Sequence, residues 1–170
     1  MQTELSRSKF VVYIMTALNI LINIAAFLGA FAFMEAFAWF THKYVMHGIG
    51  WFLHKSHHEP RHGKFEWNDL YAIIFAAPAI ILMYIGSPEF NYVFWIGTGI
   101  SAYGFCYFTF HDVIVHRRMK HHYKPYSKYM LRIMRAHKVH HKKMSKEDGQ
   151  AFGFLFALPK YDVKKTDDAI

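Results

Sequence analysis

The sequence holds a single cysteine, Cys106, inside an apolar stretch. An internal disulfide is excluded, and so is a thiolate metal cluster, so any bound metal takes nitrogen or oxygen ligands. No flavin or nicotinamide fingerprint is present, so electrons for any redox chemistry have to come from outside the chain. There is no low-complexity linker, and 170 residues leave room for one domain and no second catalytic one. Acidic residues are few, 12 against 20 Lys and Arg, for a formal charge of +8. In a chain with several apolar runs, that excess reads as basic loops against anionic lipid headgroups rather than a nucleic-acid surface.

What the sequence has in quantity is apolar length. Hydrophobic residues make up 54% of the chain, yet mean hydropathy is only +0.05, because long uncharged runs are averaged against segments crowded with His, Lys and Arg. Phe10 to Phe40 carries one charge, Glu35. It is far longer than the apolar part of a cleavable signal peptide and long enough to cross a bilayer. A second run, Leu70 to Ile85, contains Pro78 and is short enough that its helix is expected to begin near Trp67. After the break GSPEFN a third run, Tyr92 to Phe110, follows, about 28 Å long at helical rise. The expected fold is all-α, an integral membrane helical bundle of one domain, 1–170, with spans at about 10–40, 67–86 and 92–110.

The break between the second and third runs has no Lys or Arg, whereas residues 41–68 carry four and residues 111–170 carry fourteen. The positive-inside rule then puts the polar segments 41–66 and 111–170 together in the cytoplasm. Two readings of the first run stay open: one tilted helix that continues out of the membrane, or a span plus a re-entrant piece breaking near Gly29. Gly97 and Ser101 place small residues four apart, suited to close helix packing. The stretch AFGFLFALP is too short to span; it lies in the interface or packs under the domain.

Thirteen histidines are present, and ten fall into patterns that come in the same order twice. HKYVMH (His42, His47) precedes HKSHH (His54, His57, His58); HDVIVH (His111, His116) precedes HKVHH (His137, His140, His141). One isolated histidine is best read as a surface side chain. Ten in two matched sets call for a shared ligand, because cationic groups packed together are otherwise not tolerated. On a helix, H-x-x-H-H projects three imidazoles within an arc of about 100°. The H-x-x-x-x-H pairs fall about 140° apart on an ideal helix, so they need a local bulge, a helix end, or ligands shared between two metals. Ten imidazoles exceed what one tetrahedral zinc takes, and a nitrogen-rich site with room for O2 suits two irons. The result is a cytoplasmic, histidine-rich di-metal cap. His62, His121 and His122 stand outside the patterns and are read as facing solvent or headgroups.

The sequence resembles the membrane fatty acid hydroxylase superfamily, and within it the bacterial β-carotene 3-hydroxylases. The likeness runs from about residue 34 to 158 and includes MEAFAWFTHKYVMHG, HHEPRHGKFEWNDLYA, SAYGFCYFTFHDVIVH, AHKVHH and FGFLFALP. It departs at Val113, where a Gly is common, and at His62, where a Lys is common. The resemblance implies a histidine-bound di-iron centre, with His42, His47, His54, His57, His58, His111, His116, His137, His140 and His141 as ligands. It implies hydroxylation at C3 of β-ionone rings with O2, taking β-carotene through β-cryptoxanthin to zeaxanthin. It further implies a bilayer-dissolved carotenoid substrate, an external electron donor such as ferredoxin or a similar reductase, and a bacterial inner membrane with the active site facing the cytoplasm.

Around the histidines, Glu35 is an intramembrane carboxylate and therefore a functional candidate, with a bland alternative as partner to Asn19, Asn23 or another span. Asp69 and Asp112 are the preferred acceptors for the second N–H of a metal-bound histidine, with Glu59 and Glu66 as further candidates. Glu66 also reads as a helix N-terminal charge. Arg117, Arg118, Lys142 and Lys143 are read against lipid phosphates or a small acidic electron donor. Ser127 to Lys143 reads as an interfacial amphipathic helix. Two alternatives remain: a related hydroxylase, ketolase or desaturase of another membrane lipid, and, from another class, a metal-binding or metal-transporting membrane protein. Transport calls for polar groups along a path near the midplane, and the runs offer little beyond Glu35, Asn19 and Asn23.

Overall fold

Every regular element in the computed structural model is helical; it describes residues 2–60 and 63–163, with side chains from Arg7 onward. His62 lies outside the described residues. In chain order, α1 is Gln2–Phe40, α2 Trp51–His58, α3 Leu70–Gly86, α4 Tyr92–Tyr107 and α5 Lys128–His141. Two π-helical segments extend the long helices, Thr41–Ile49 after α1 and Phe108–Val115 after α4. Among the described residues, three stretches are long and apolar enough to cross a membrane: Arg7–Ile49, Trp67–Gly86 and Tyr92–Val115.

The first run is one helix. At 39 residues, α1 extends about 58 Å at helical rise, and nothing breaks it at Gly29. None of its most apolar window is buried within the protein, as suits a helix whose outer face meets lipid tails rather than water.

The middle of the bundle is α4, which packs against both α1 and α3. Glycine makes both approaches possible. A Cβ at Gly97 would collide with the backbone oxygen of Ala79 on α3, and one at Gly99 with that of Phe27 on α1. One turn after Gly97, the Ser101 hydroxyl donates to Met83 Sδ at 3.5 Å. Asn91 starts α4 by accepting from the Val93 amide at 3.0 Å, the cap that a helix N-terminus needs.

Beyond the spans, α5 is capped by Ser127, whose hydroxyl accepts from the Met130 amide at 3.1 Å. It buries Met130, Ile133, Ala136, His137 and His140, one face at helical spacing. The apolar part of that face meets Ala157 and Tyr161 of the C-terminal segment. Thus α5 turns its apolar stripe toward the protein's own C-terminal segment. The AFGFLFALP stretch buries Phe154 and Ala157 and leaves Phe156 exposed. Residues 143–156 form an irregular strap that returns across the histidines.

Candidate metal centre

The H-x-x-x-x-H problem is solved by the π-helices. The His116 amide donates to His111 O at 2.9 Å and the Gly50 amide to Val45 O at 2.8 Å, both i to i+5 bonds that widen the turn. Side chains five apart therefore come onto one face. The rings of His42 and His47 lie 5.3 Å apart, and those of His111 and His116 lie 4.6 Å apart. Gly48 then leaves helical geometry, with φ −112° and ψ −120°, and turns the chain into α2.

Nine of the ten pattern histidines gather in two groups. His42, His47, His54, His58 and His140 form the first; His57, His111, His116 and His137 form the second, with the potential ligand atoms of each within 4.8 Å of one another. The H-x-x-H-H triplets do not each converge on one point. His54 and His58 serve the first group while His57, between them, serves the second; on α5, His137 serves the second and His140 the first. The two sequence sets thus interlock by exchanging one histidine each. His141 sits between the two groups, its ring 4.4 Å from that of His137 and 4.7 Å from that of His57 in the second, and stacked 4.6 Å from that of His58 in the first. Its buried Nε2 has no hydrogen-bond partner.

The chemistry is set by which nitrogen carries the proton. Backbone oxygens face Nδ1 of His42 (Phe152, 3.0 Å), His47 (Lys146, 3.1 Å), His58 (Lys143, 2.9 Å) and His140 (Gln150, 2.8 Å). Side-chain oxygens face Nδ1 of His54 (Asn68, 2.7 Å), His57 (Glu66, 3.1 Å) and His111 (Asp112, 3.0 Å). An oxygen acceptor requires Nδ1–H, so the Nε2 lone pair of each of these rings points inward. There the nitrogens crowd together: His42 to His54 at 3.0 Å, His47 to His140 at 3.2 Å, His57 to His111 at 3.1 Å. Lone pairs facing one another at such distances repel unless a cation lies among them. This donor set fits metal ions, each imidazole fixed from behind by an oxygen.

Burial keeps the imidazoles neutral and ready to coordinate. It lowers His58 to about 4, His140 to about 3 and His54 to about 2, with neighbouring imidazoles adding to the effect. His57, His137 and His141 are likewise pushed well below the ordinary range, first by burial and then by neighbouring histidines.

Two cavities flank the groups. One, of about 460 Å³, reaches from Ala79 and Ile80 on α3 and Ile100 on α4 up to His42, His111 and His137, and is largely apolar. The other, of about 300 Å³, opens beside His57, His58, Glu66, His116 and His141.

The fatty acid hydroxylase family profile matches residues 27–162, which include every one of these histidines. The chain belongs to the fatty acid hydroxylase family. It is 49% identical over 133 residues to a beta-carotene hydroxylase of Pantoea ananas, covering 78% of this chain and 76% of that protein. It is 44% identical over 131 residues to one of Pseudescherichia vulneris, covering 77% and 74%. A third, from Paracoccus sp. (strain PC1), is 39% identical over 138 residues, covering 78% and 85%. No solved structure matches the chain.

The carboxylates divide by task. Asp112 meets His111 directly, and Glu66 meets His57. Asp69 receives two hydrogen bonds from Arg118, both at 2.6 Å, and Arg118 also lies 3.6 Å from Asp112. Arg118 thus pairs with carboxylates at the half-buried edge of the site rather than with lipid phosphates. Glu35 accepts from three consecutive backbone amides of the strap and from Tyr103 OH on α4. Of the partners considered for Glu35, another span supplies one through Tyr103, whereas Asn23 donates to Phe90 O at 3.3 Å. Nor does His121 simply face solvent: its Nε2 lies 2.8 Å from Val113 O. Sequence reasoning missed Asn68 and the strap carbonyls; Asn68, ten residues past His58 in a helix-start motif, carried no metal-site signal, and carbonyls never do.

Proposed function

We propose that this chain is a non-haem di-iron monooxygenase that hydroxylates C3 of carotenoid β-ionone rings, converting β-carotene through β-cryptoxanthin to zeaxanthin. One observation carries the reading: an apolar cavity between the spans leads to His42 of one histidine group and to His111 and His137 of the other. A substrate dissolved in lipid reaches such a site without crossing water. The beta-carotene hydroxylase names of the bacterial relatives supply the substrate class.

In this reading the ten pattern histidines hold two irons, with His141 as the further ligand of the second site. Bound iron supplies reductive activation of O2 and insertion of one oxygen atom into an unactivated C–H bond. The protein supplies everything else. Oxygen acceptors behind the rings fix the tautomers and raise ligand basicity. Met34, Phe75, Ala79 and Ile100 line the route with apolar surface, exclude water and hold a cyclic end group near the histidines. A cavity of about 460 Å³ takes a ring and a few polyene carbons, and the rest of the carotenoid stays in lipid.

Each turnover consumes O2, two electrons and two protons and yields one hydroxyl and one water. The electrons come from outside, from ferredoxin or a similar reductase, in keeping with the lack of any internal redox fingerprint. The basic segments support a histidine centre on the cytoplasmic side, and the bacterial relatives support a bacterial inner membrane. The test is the pigment profile of a β-carotene-accumulating bacterial host with and without this chain. Zeaxanthin and β-cryptoxanthin appearing only with the chain support the reading; unchanged β-carotene beside folded, iron-loaded protein moves the substrate to another membrane lipid.

A further inference from the structure

We infer that Glu35 is a positioning residue for the first histidine group, acting through the backbone of residues 143–156. This inference rests on the reading above that the first group holds a metal ion. Glu35 lies within the first apolar helix, where a carboxylate is costly and has to be compensated. Its oxygens accept from the amides of Phe154, Leu155 and Phe156, each at 2.9 Å, and from Tyr103 OH at 2.8 Å. Three successive amides converging on one carboxylate make a charge-assisted anchor, stronger than neutral hydrogen bonds in the same place.

The anchored segment is the one that sets the tautomers of the first group. Its carbonyls at Lys143, Lys146, Gln150 and Phe152 take Nδ1 of His58, His47, His140 and His42. Four of the five rings thus depend on a strap with no regular secondary structure. Two of its residues, Asp148 and Ala151, hold left-handed backbone at φ 59° and 58°, a conformation disfavoured with a Cβ. Ala151 stands between two of the carbonyls in question. A strap in that shape needs an external tie, and Glu35 and Tyr103 provide it.

The second group is held differently. Its His57 and His111 take Glu66 and Asp112, which lie outside the strap. Weakening the Glu35 anchor therefore loosens one metal position and spares the other. In Glu35→Gln, one acceptor oxygen is replaced by an NH2 group that opposes the strap amides, and the charge is lost.

The experiment uses full-length protein in detergent, loaded with ferrous iron, and follows iron per chain and its release to a ferrous chelator. Wild type is expected to hold two irons, and E35Q to release one at least tenfold faster while keeping the other. Amide exchange in residues 143–156 rises in parallel. Tyr103→Phe keeps the charge and removes one donor, so it gives a smaller acceleration of the same ion and decides the matter should E35Q fail to fold. Wild-type release of both ions from E35Q, or from Y103F alone in that case, overturns the inference, as does equal loss of both. Wild type without iron overturns the metal reading itself, and this inference with it.

Discussion

His57 and His111 meet Nε2 to Nε2 at 3.1 Å, 54 residues apart in sequence, and behind each ring stands a carboxylate, Glu66 for His57 and Asp112 for His111. The first group has no such carboxylates among the contacts described: its rings lean on carbonyls and on the Asn68 amide oxygen. A carboxylate behind an imidazole makes it a more basic ligand, so the second group would offer a metal ion the more basic histidines.

That asymmetry predicts the effect of removing charge. Glu66→Gln and Asp112→Asn each lower metal affinity or activity by about 10- to 100-fold, with the loss confined to the second site. Metal titration of purified variants checks this; unchanged affinity in both would remove the carboxylates from the account.

The interlocked histidines predict that His57→Ala and His140→Ala abolish hydroxylation by emptying different sites, His57 the second and His140 the first. Both variants remain in the membrane fraction, because the spans rather than the ligands drive insertion. Membrane fractionation with metal analysis reads both points. Full activity in either variant contradicts the ligand assignment, and metal flux into vesicles without bound iron would favour a transporter.

The depressed histidines set a direction for acid sensitivity in metal-free protein. His58 at about 4 and His140 at about 3 bind protons less readily folded than unfolded, where the ordinary value is 6.5. The unfolded chain takes up more protons in between, so stability is full above about pH 6.5 and falls as pH drops through that window. Thermal unfolding at pH 7.5 and pH 5 tests it: Tm is lower at pH 5, and an equal or higher Tm refutes the linkage.

Gly104 lines the large cavity, and open space surrounds the position a Cβ would take. Gly104→Phe puts an aromatic ring into the route. Hydroxylation then falls at least about tenfold with iron content unchanged, the mark of a blocked pocket rather than a damaged centre. Loss of iron together with activity would mean that the side chain disturbs the histidines instead.

Much of this architecture was legible in the sequence because its signals are side-chain patterns. Apolar runs announce helices that can cross a membrane, and the doubled histidine motifs announce a metal centre. The pairing of His42 with His47 was legible only as a geometric conflict; the π-turns that resolve it arise from backbone bonding that the residue pattern does not specify. The splitting of His54, His57 and His58 between two groups depends on where α5 packs, which is tertiary information. Backbone carbonyls from Lys143 to Phe152 carry no residue signature at all. Arg118 looked like a lipid contact because charge alone does not reveal that Asp69, 49 residues earlier, comes to meet it.

The most direct test of the proposed chemistry is isotopic. Purified iron-loaded protein is given β-carotene, ferredoxin with its reductase, and 18O2 in unlabelled water. The account predicts β-cryptoxanthin and zeaxanthin with one 18O in every newly formed hydroxyl. Hydroxyl oxygen drawn from water, or no hydroxylated product from iron-loaded protein, would contradict it.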